Sequence, residues 1–149
     1  MKKNSKINLL EIGVRDGASI KVWNEYFSKD SKIYGIDINP NCNKCSEIEN
    51  TKIFIGDCND ILSVNNIKNL NLSFDCIIDD GSHHYDDITK SLHYYYPLLS
   101  FKGIYIIEDI ASMNRISSKK YNDLKDFIKN NFKDYIINEY PETIVIEKI

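Results

Sequence analysis

A chain of 149 residues is long enough for one domain with a buried core and too short for two. Its 42% hydrophobic and 28% charged residues are ordinary for a folded domain, which excludes a disordered or low-complexity chain. A net charge of −3 and a pI near 5.6 argue against a reader of the nucleic-acid backbone, which carries a basic face, and favour a small, discrete substrate.

The basic start MKKNSK is followed by an apolar run too short for a signal peptide or a membrane span, so a cytoplasmic protein is expected. Residues 7–12 (INLLEI) read as a strand ending at Gly13, after which Ile20, Trp23 and Phe27 recur at helical spacing. Residues 32–38 (KIYGIDI) are again strand-like, with the acid Asp37 near their end and Asn39-Pro40 as a turn signal. A weak helix is expected over residues 42–48. This stretch holds a CxxC pair, Cys42 and Cys45. A structural zinc site needs a second ligand pair at matching spacing, which Cys58 and Cys76 do not supply, so reduced thiols are expected.

Residues 52–55 (KIFI) lead into Gly56-Asp57, and Asn59 or Asp60 is placed to cap a helix running through Leu70. Residues 74–78 form the next strand. Beyond Tyr85, the residues Ile88, Leu92, Tyr95 and Leu99 follow helical spacing, and Pro97 limits that helix. Gly103 then releases the chain into the apolar run IYIIEDI, residues 104–110. Ser117 or Ser118 is placed to cap a helix striped by Tyr121, Leu124, Ile128 and Phe132. Residues 134–140 and 143–149 are strand-like and separated only by Pro141-Glu142, which requires an antiparallel pair. Together these elements predict one α/β domain over residues 1–149, a Rossmann-like, doubly wound, mostly parallel seven-stranded sheet closing on a C-terminal antiparallel hairpin. Ligands of such sheets bind at the carboxyl ends of the strands.

Acids crowd two of those ends, in FDCIIDDGSHHYD (residues 74–86) and in IYIIEDI. Carboxylates this close repel unless a cation sits between them. Hard divalent cations such as Mg²⁺ take carboxylate oxygens, and neighbouring strands lie about 4.8 Å apart. Asp80, Glu108 and Asp109 are therefore the expected metal set. Asp79 and Asp80 point to opposite faces, which leaves Asp79 for support or for a cofactor contact.

The segment EIGVRDGAS (residues 11–19) lacks the glycine at position 15 that a dinucleotide fingerprint needs, which disfavours NAD and FAD. The pattern ExGxxxG followed by Asp37 at the second strand end resembles class I S-adenosylmethionine-dependent methyltransferases. That resemblance implies that Gly13, Arg15, Gly17 and Ser19 surround the methionine moiety, that Asp37, with Ile38 beside it, holds the ribose, and that Asp57 and Cys58 meet the adenine. The stretch IIDDGSHH with IIED further on resembles metal-dependent O-methyltransferases of macrolide deoxysugars and a related family labelled cephalosporin hydroxylases. It implies Asp80 and Asp109 as magnesium ligands and His83 as the base that deprotonates the acceptor hydroxyl. Metal-dependent catechol methyltransferases share this logic, with Glu108 and Asp109 as the ligand pair. Glu11 is a possible further ligand.

The implied activity is a Mg²⁺-dependent O-methyl transfer to a small molecule or glycan, without nucleic acid or membrane, in a protein free to form a homo-oligomer. The N-terminal arm that covers cofactor and acceptor in this family is expected to be missing. Arg115 is placed for a substrate contact, His84 for orienting the site or starting a helix, and His93 for packing. Two other readings stand beside this one. A non-haem iron oxygenase would use His83, His84 and a carboxylate, and a non-catalytic nucleotide-binding module would use the glycine turn alone.

Overall fold

The computed structural model describes residues 1–110 and 118–149. Arg115 and Ser117 lie outside the described residues, as does the side chain of Ser118. Strands and helices alternate as β1 (Asn8–Ile12), α1 (Ala18–Tyr26), β2 (Lys32–Asp37), a 3₁₀ helix (Pro40–Glu47), β3 (Thr51–Ile55), α2 (Ile61–Lys68) and β4 (Phe74–Asp79). They continue as α3 (Tyr85–Tyr95), a short 3₁₀ turn (Tyr96–Leu98), β5 (Leu99–Ile107), α4 (Ser118–Asn131), β6 (Tyr135–Tyr140) and β7 (Thr143–Lys148). The seven strands form one sheet in the order β3-β2-β1-β4-β5-β7-β6. The first five strands are mutually parallel, and β7 joins β5 and β6 antiparallel. The chain reverses its direction of travel across the sheet between β1 and β4, which opens a crevice at their carboxyl ends.

Period-two alternation sends each central strand into two apolar layers. From β1, Leu10 and Ile12 join Val64, Ile67, Leu92 and Leu124 on one face, so α2, α3 and α4 pack there. Leu9 joins Ile20, Cys42, Cys45 and Ile53 on the other, beneath α1 and the 3₁₀ helix. Full burial of an aliphatic side chain contributes about 1.5–3 kcal/mol, so these two layers hold the strand ends in place. Asp60 caps α2, its carboxylate accepting from the Leu62 and Ser63 amides.

Two boundaries differ from those expected. The helix expected over residues 42–48 starts at Pro40 and is 3₁₀, its start capped by Asn39 accepting from the Asn41 amide. β5 begins at Leu99 rather than after Gly103, pairing Leu99 with Phe74 and, after an irregular step, Ile104 with Cys76. Lys102 takes a left-handed conformation at that step (φ 62°). Leu99 therefore belongs to the sheet and not to the preceding helix. None of the helices in the described residues is long and apolar enough to cross a membrane.

Candidate active site

Parallel pairing continues one residue past the strand ends. The Gly13 amide donates to Ile36, Asp80 to Ile12, Glu108 to Asp79 and Gly56 to Asp37. Every chain exit is thereby brought level along one edge of the sheet. Gly13 (φ 89°) meets the Asp80 backbone so closely that a Cβ would lie 2.2 Å from the Asp80 carbonyl oxygen. The glycine turn and the acidic turn are thus packed backbone to backbone.

A cleft of about 760 Å³ runs along this edge, lined at one end by Asp37, Ile38, Asn39, Asp57 and Cys58 and at the other by Asp80, His83 and Asp109, with Gly13, Arg15 and Asp79 between. Volumes of this size suit a cofactor-sized ligand. Asp37 accepts from the Val14, Arg15 and Asn39 amides at 2.7–2.8 Å, and these bonds hold its carboxyl below the usual range against the cost of burial. The Asp37 carboxylate thereby fastens the glycine turn, in which Arg15 itself is left-handed (φ 55°).

Gly17 and Ser19 do not line this cleft. Gly17 (φ 78°) turns the chain into α1 with Cys45 filling the space where a side chain would be. The Ser19 hydroxyl donates to Glu11, as does the Trp23 indole at 3.1 Å. Glu11 is buried, and desolvation pushes its pKa up to about 7 against those two hydrogen bonds. Its carboxylate ties β1 to α1.

Asp79 is buried at the end of β4. Its carboxylate accepts from the buried Tyr105 hydroxyl at 3.1 Å and sits 3.4 Å from the Gly81 amide, and burial pushes its pKa up to about 7. Asp80 points the other way. One ligand atom each from Asp80, His83 and Asp109 lie within 4.8 Å of one another. His83 is left-handed (φ 59°) and nearly buried, with Nδ1 3.3 Å from the Glu108 carbonyl and Nε2 3.7 Å from Asp80 Oδ1. A carbonyl only accepts, so in the neutral ring Nδ1 carries the proton, and the Nε2 lone pair faces the space it shares with the Asp80 and Asp109 carboxylates. Glu108 stands outside this trio, half-buried. Desolvation first, and then the charges of Asp80 and Asp109, raise its pKa.

The turn carrying His83 is held by Ser82, whose hydroxyl donates to Asp87 at 2.6 Å and accepts from the His84 amide. His84 is the exposed residue at the start of α3 and takes no part in the trio, so two histidines and a carboxylate do not converge among the described residues. Asp86 and Asp87 in the first turn of α3 suit the positive end of its dipole. Asn39, Asn59, Gly81 and Ser91 also line the cleft, and Tyr105 supports Asp79; the sequence marks Asn39 and Asn59 only as turn and cap residues and gives no site role to any of the five. Tyr105 pairs with Ile77, two residues before Asp79, and only the β4–β5 register reveals that neighbourhood.

The strand order, with a glycine turn at the first strand end and acids at the second, fourth and fifth, is the Rossmann-like fold of S-adenosylmethionine-dependent methyltransferases. The solved MycE methyltransferase from the mycinamycin biosynthetic pathway, in complex with Mg, SAH and mycinamycin VI, superposes with a TM-score of 0.78 at 24% identity, covering 98% of this chain and 46% of that one. Demethylmacrocin O-methyltransferase of Streptomyces fradiae is 30% identical over 115 residues, 72% of this chain and 28% of that protein. Mycinamicin VI 2''-O-methyltransferase of Micromonospora griseorubida is 32% identical over 117 residues, with the same coverage of 72% and 28%. The curated homologues of this chain are thus O-methyltransferases, and the chain spans a little over a quarter of their length. No family model matches the chain.

Proposed function

We propose that this single domain is an S-adenosylmethionine- and Mg²⁺-dependent O-methyltransferase acting on a hydroxyl of a sugar, glycan or other small molecule. The observation that carries this reading is the convergence of Asp80, His83 and Asp109 beside the glycine turn, at one end of a cleft whose other end holds Asp37 and Asp57. The relatives, a demethylmacrocin O-methyltransferase and a mycinamicin VI 2''-O-methyltransferase, support it.

The residues fit both groups. Two carboxylates of like charge, Asp80 with its pKa raised by desolvation and by Asp109, and an imidazole lone pair form a set that a hard divalent cation would relieve. Asp80 and Asp109 would hold that cation, with Glu108 as the nearest further carboxylate. Gly13 and Arg15 would border the methionine end of the cofactor, Asp37 and Ile38 the ribose, and Asp57 and Cys58 the adenine, with Asp79 beneath. A bound cation would lower the pKa of a hydroxyl placed on it, and S-adenosylmethionine would supply the methyl group. His83 takes the acceptor proton at Nε2 while the Glu108 carbonyl holds its ring by Nδ1. The acidic net charge favours a small-molecule or glycan acceptor over nucleic acid, and four free thiols suit a cytoplasmic protein. Calorimetry with S-adenosylmethionine, with and without Mg²⁺, tests the reading at its first step: no binding in either condition ends it.

The His83→Ala protein separates two roles. As base, His83 contributes about 10²- to 10⁴-fold to kcat, and its loss leaves cofactor and Mg²⁺ affinity unchanged. The trio geometry also favours a second reading, with Nε2 as a third cation ligand. In that case Mg²⁺ affinity falls along with the rate, which titration of the variant reads directly.

A further inference from the structure

Cys42 and Cys45 line the underside of the glycine turn. They lie on the 3₁₀ helix Pro40–Glu47, where residues three apart eclipse and rise by about 6 Å, within the Cα separation that a disulfide spans. Both are free and buried, at 0% and 3% exposure. Cys42 Sγ donates to the Arg15 carbonyl at 2.8 Å and also contacts the Asp37 carboxylate. Cys45 Sγ lies 3.8 Å from the Asp16 carbonyl and fills the space beside Gly17, where a Cβ would come within 2.3 Å of it. A second hollow, of about 390 Å³, opens onto Cys45 between Asp16, Lys21, Lys44 and Glu47. This hollow is the side from which a small oxidant approaches Cys45. Burial, with the Asp37 carboxylate beside it, pushes the Cys42 thiol up to about 11, which disfavours it as the first sulfur to attack.

We propose that Cys42 and Cys45 form a reversible dithiol switch, oxidised by low-molecular-weight disulfides, that loosens the turn over residues 13–17. The Cys45 thiolate attacks one sulfur of the oxidant's S–S bond, forming a mixed disulfide and releasing one thiol. Cys42 gives its proton to solvent and displaces the second thiol, closing the Cys42–Cys45 bond. Two cysteine thiols have then lost two protons and two electrons, and the oxidant's disulfide has become two thiols. Neither sulfur keeps a proton, so the Arg15 and Asp16 carbonyls and the Asp37 carboxylate lose their S–H partners. Weakened cofactor binding follows, and this last consequence rests on the function proposed above.

The test equilibrates the full chain with reduced and oxidised glutathione at set ratios, blocks remaining thiols and digests with trypsin. Lys44 lies between the cysteines, so cleavage after it leaves two peptides joined only by the disulfide. The expected result is that linked pair. Alkylation of both sulfurs at the most oxidising ratio overturns the switch. Hydrogen exchange in residues 13–17 should quicken in the oxidised protein and return with dithiothreitol, while Cys45→Ser stays indifferent; unchanged exchange overturns the loosening. S-adenosylhomocysteine, titrated into both forms, should bind about tenfold more weakly to the oxidised one, as the loss of one or two modest hydrogen bonds implies. Equal affinities overturn the coupling to the cleft. Failure of the reduced protein to bind it at all overturns the methyltransferase reading, while the linked peptides and the exchange rates still decide the switch.

Discussion

Glu11 shows how a single side chain joins fold to site. Only 1% exposed, it carries a pKa of about 7 against an ordinary 4.5. Below the ordinary value both folded and unfolded chains hold the proton, and its full contribution to stability is present. Between about 4.5 and 7 the unfolded chain releases the proton while the folded one keeps it, so stability falls as pH rises through this window. The whole effect is on the order of 3 kcal/mol. Urea unfolding at pH 5 and pH 8, without divalent cations, should show that fall, and Glu11→Gln should make it shallower, leaving the share that the buried Asp79 contributes over the same window. An equally steep decline in the variant would place its source elsewhere. Glu11 was legible as a strand-end acid, a possible metal ligand, but its bonds to Ser19 and Trp23 were not. They depend on how α1 folds back over β1.

At the scale of elements, two turns matter, one after β1 and one after β4. Gly13 allows them to touch, with a positive φ and no room for a Cβ against the Asp80 carbonyl. Gly13→Ala should therefore cost about 1–3 kcal/mol and displace the Asp80–His83 turn. Thermal unfolding and Mg²⁺ calorimetry check both parts, and unchanged Mg²⁺ affinity would show that the two turns are independent. Most elements were readable from periodicity and turn residues. The start of β5 was not, because Leu99 continues the helical stripe Ile88, Leu92, Tyr95 and only its pairing with Phe74 decides its place. The 3₁₀ form of Pro40–Glu47 was likewise invisible in a short polar segment whose shape is set by packing Cys42 and Cys45 under the turn.

For the whole molecule, strand order decides which charges meet. Placing β4 between β1 and β5 sets Asp80 and Glu108 within electrostatic reach of both Glu11 and Asp109, and the pKa values of Glu11, Asp80 and Glu108 rise as a result of desolvation reinforced by neighbouring acids. A cation bound there stabilises the folded state alone. Mg²⁺ at one hundred times its dissociation constant should add about 2.7 kcal/mol to stability, raising the Tm of what we propose is one domain with a single unfolding transition. Asp80→Asn with Asp109→Asn should abolish the rise. An undiminished shift in that double variant would remove the cation from this site.

By itself the sequence determined the layered α/β plan, the glycine turn and the acids at the strand ends, because hydrophobic periodicity and turn chemistry are local properties of the chain. Only the tertiary structure decided that His83 joins Asp80 and Asp109 while Glu108 stands apart, that Asp37 fastens the glycine turn after β1, and that Ser19 serves Glu11 instead of the cleft. Those outcomes hang on register and on the left-handed backbone at Arg15, His83 and Asp109. Such features arise where separate strands end side by side, and residue spacing along one chain does not encode them.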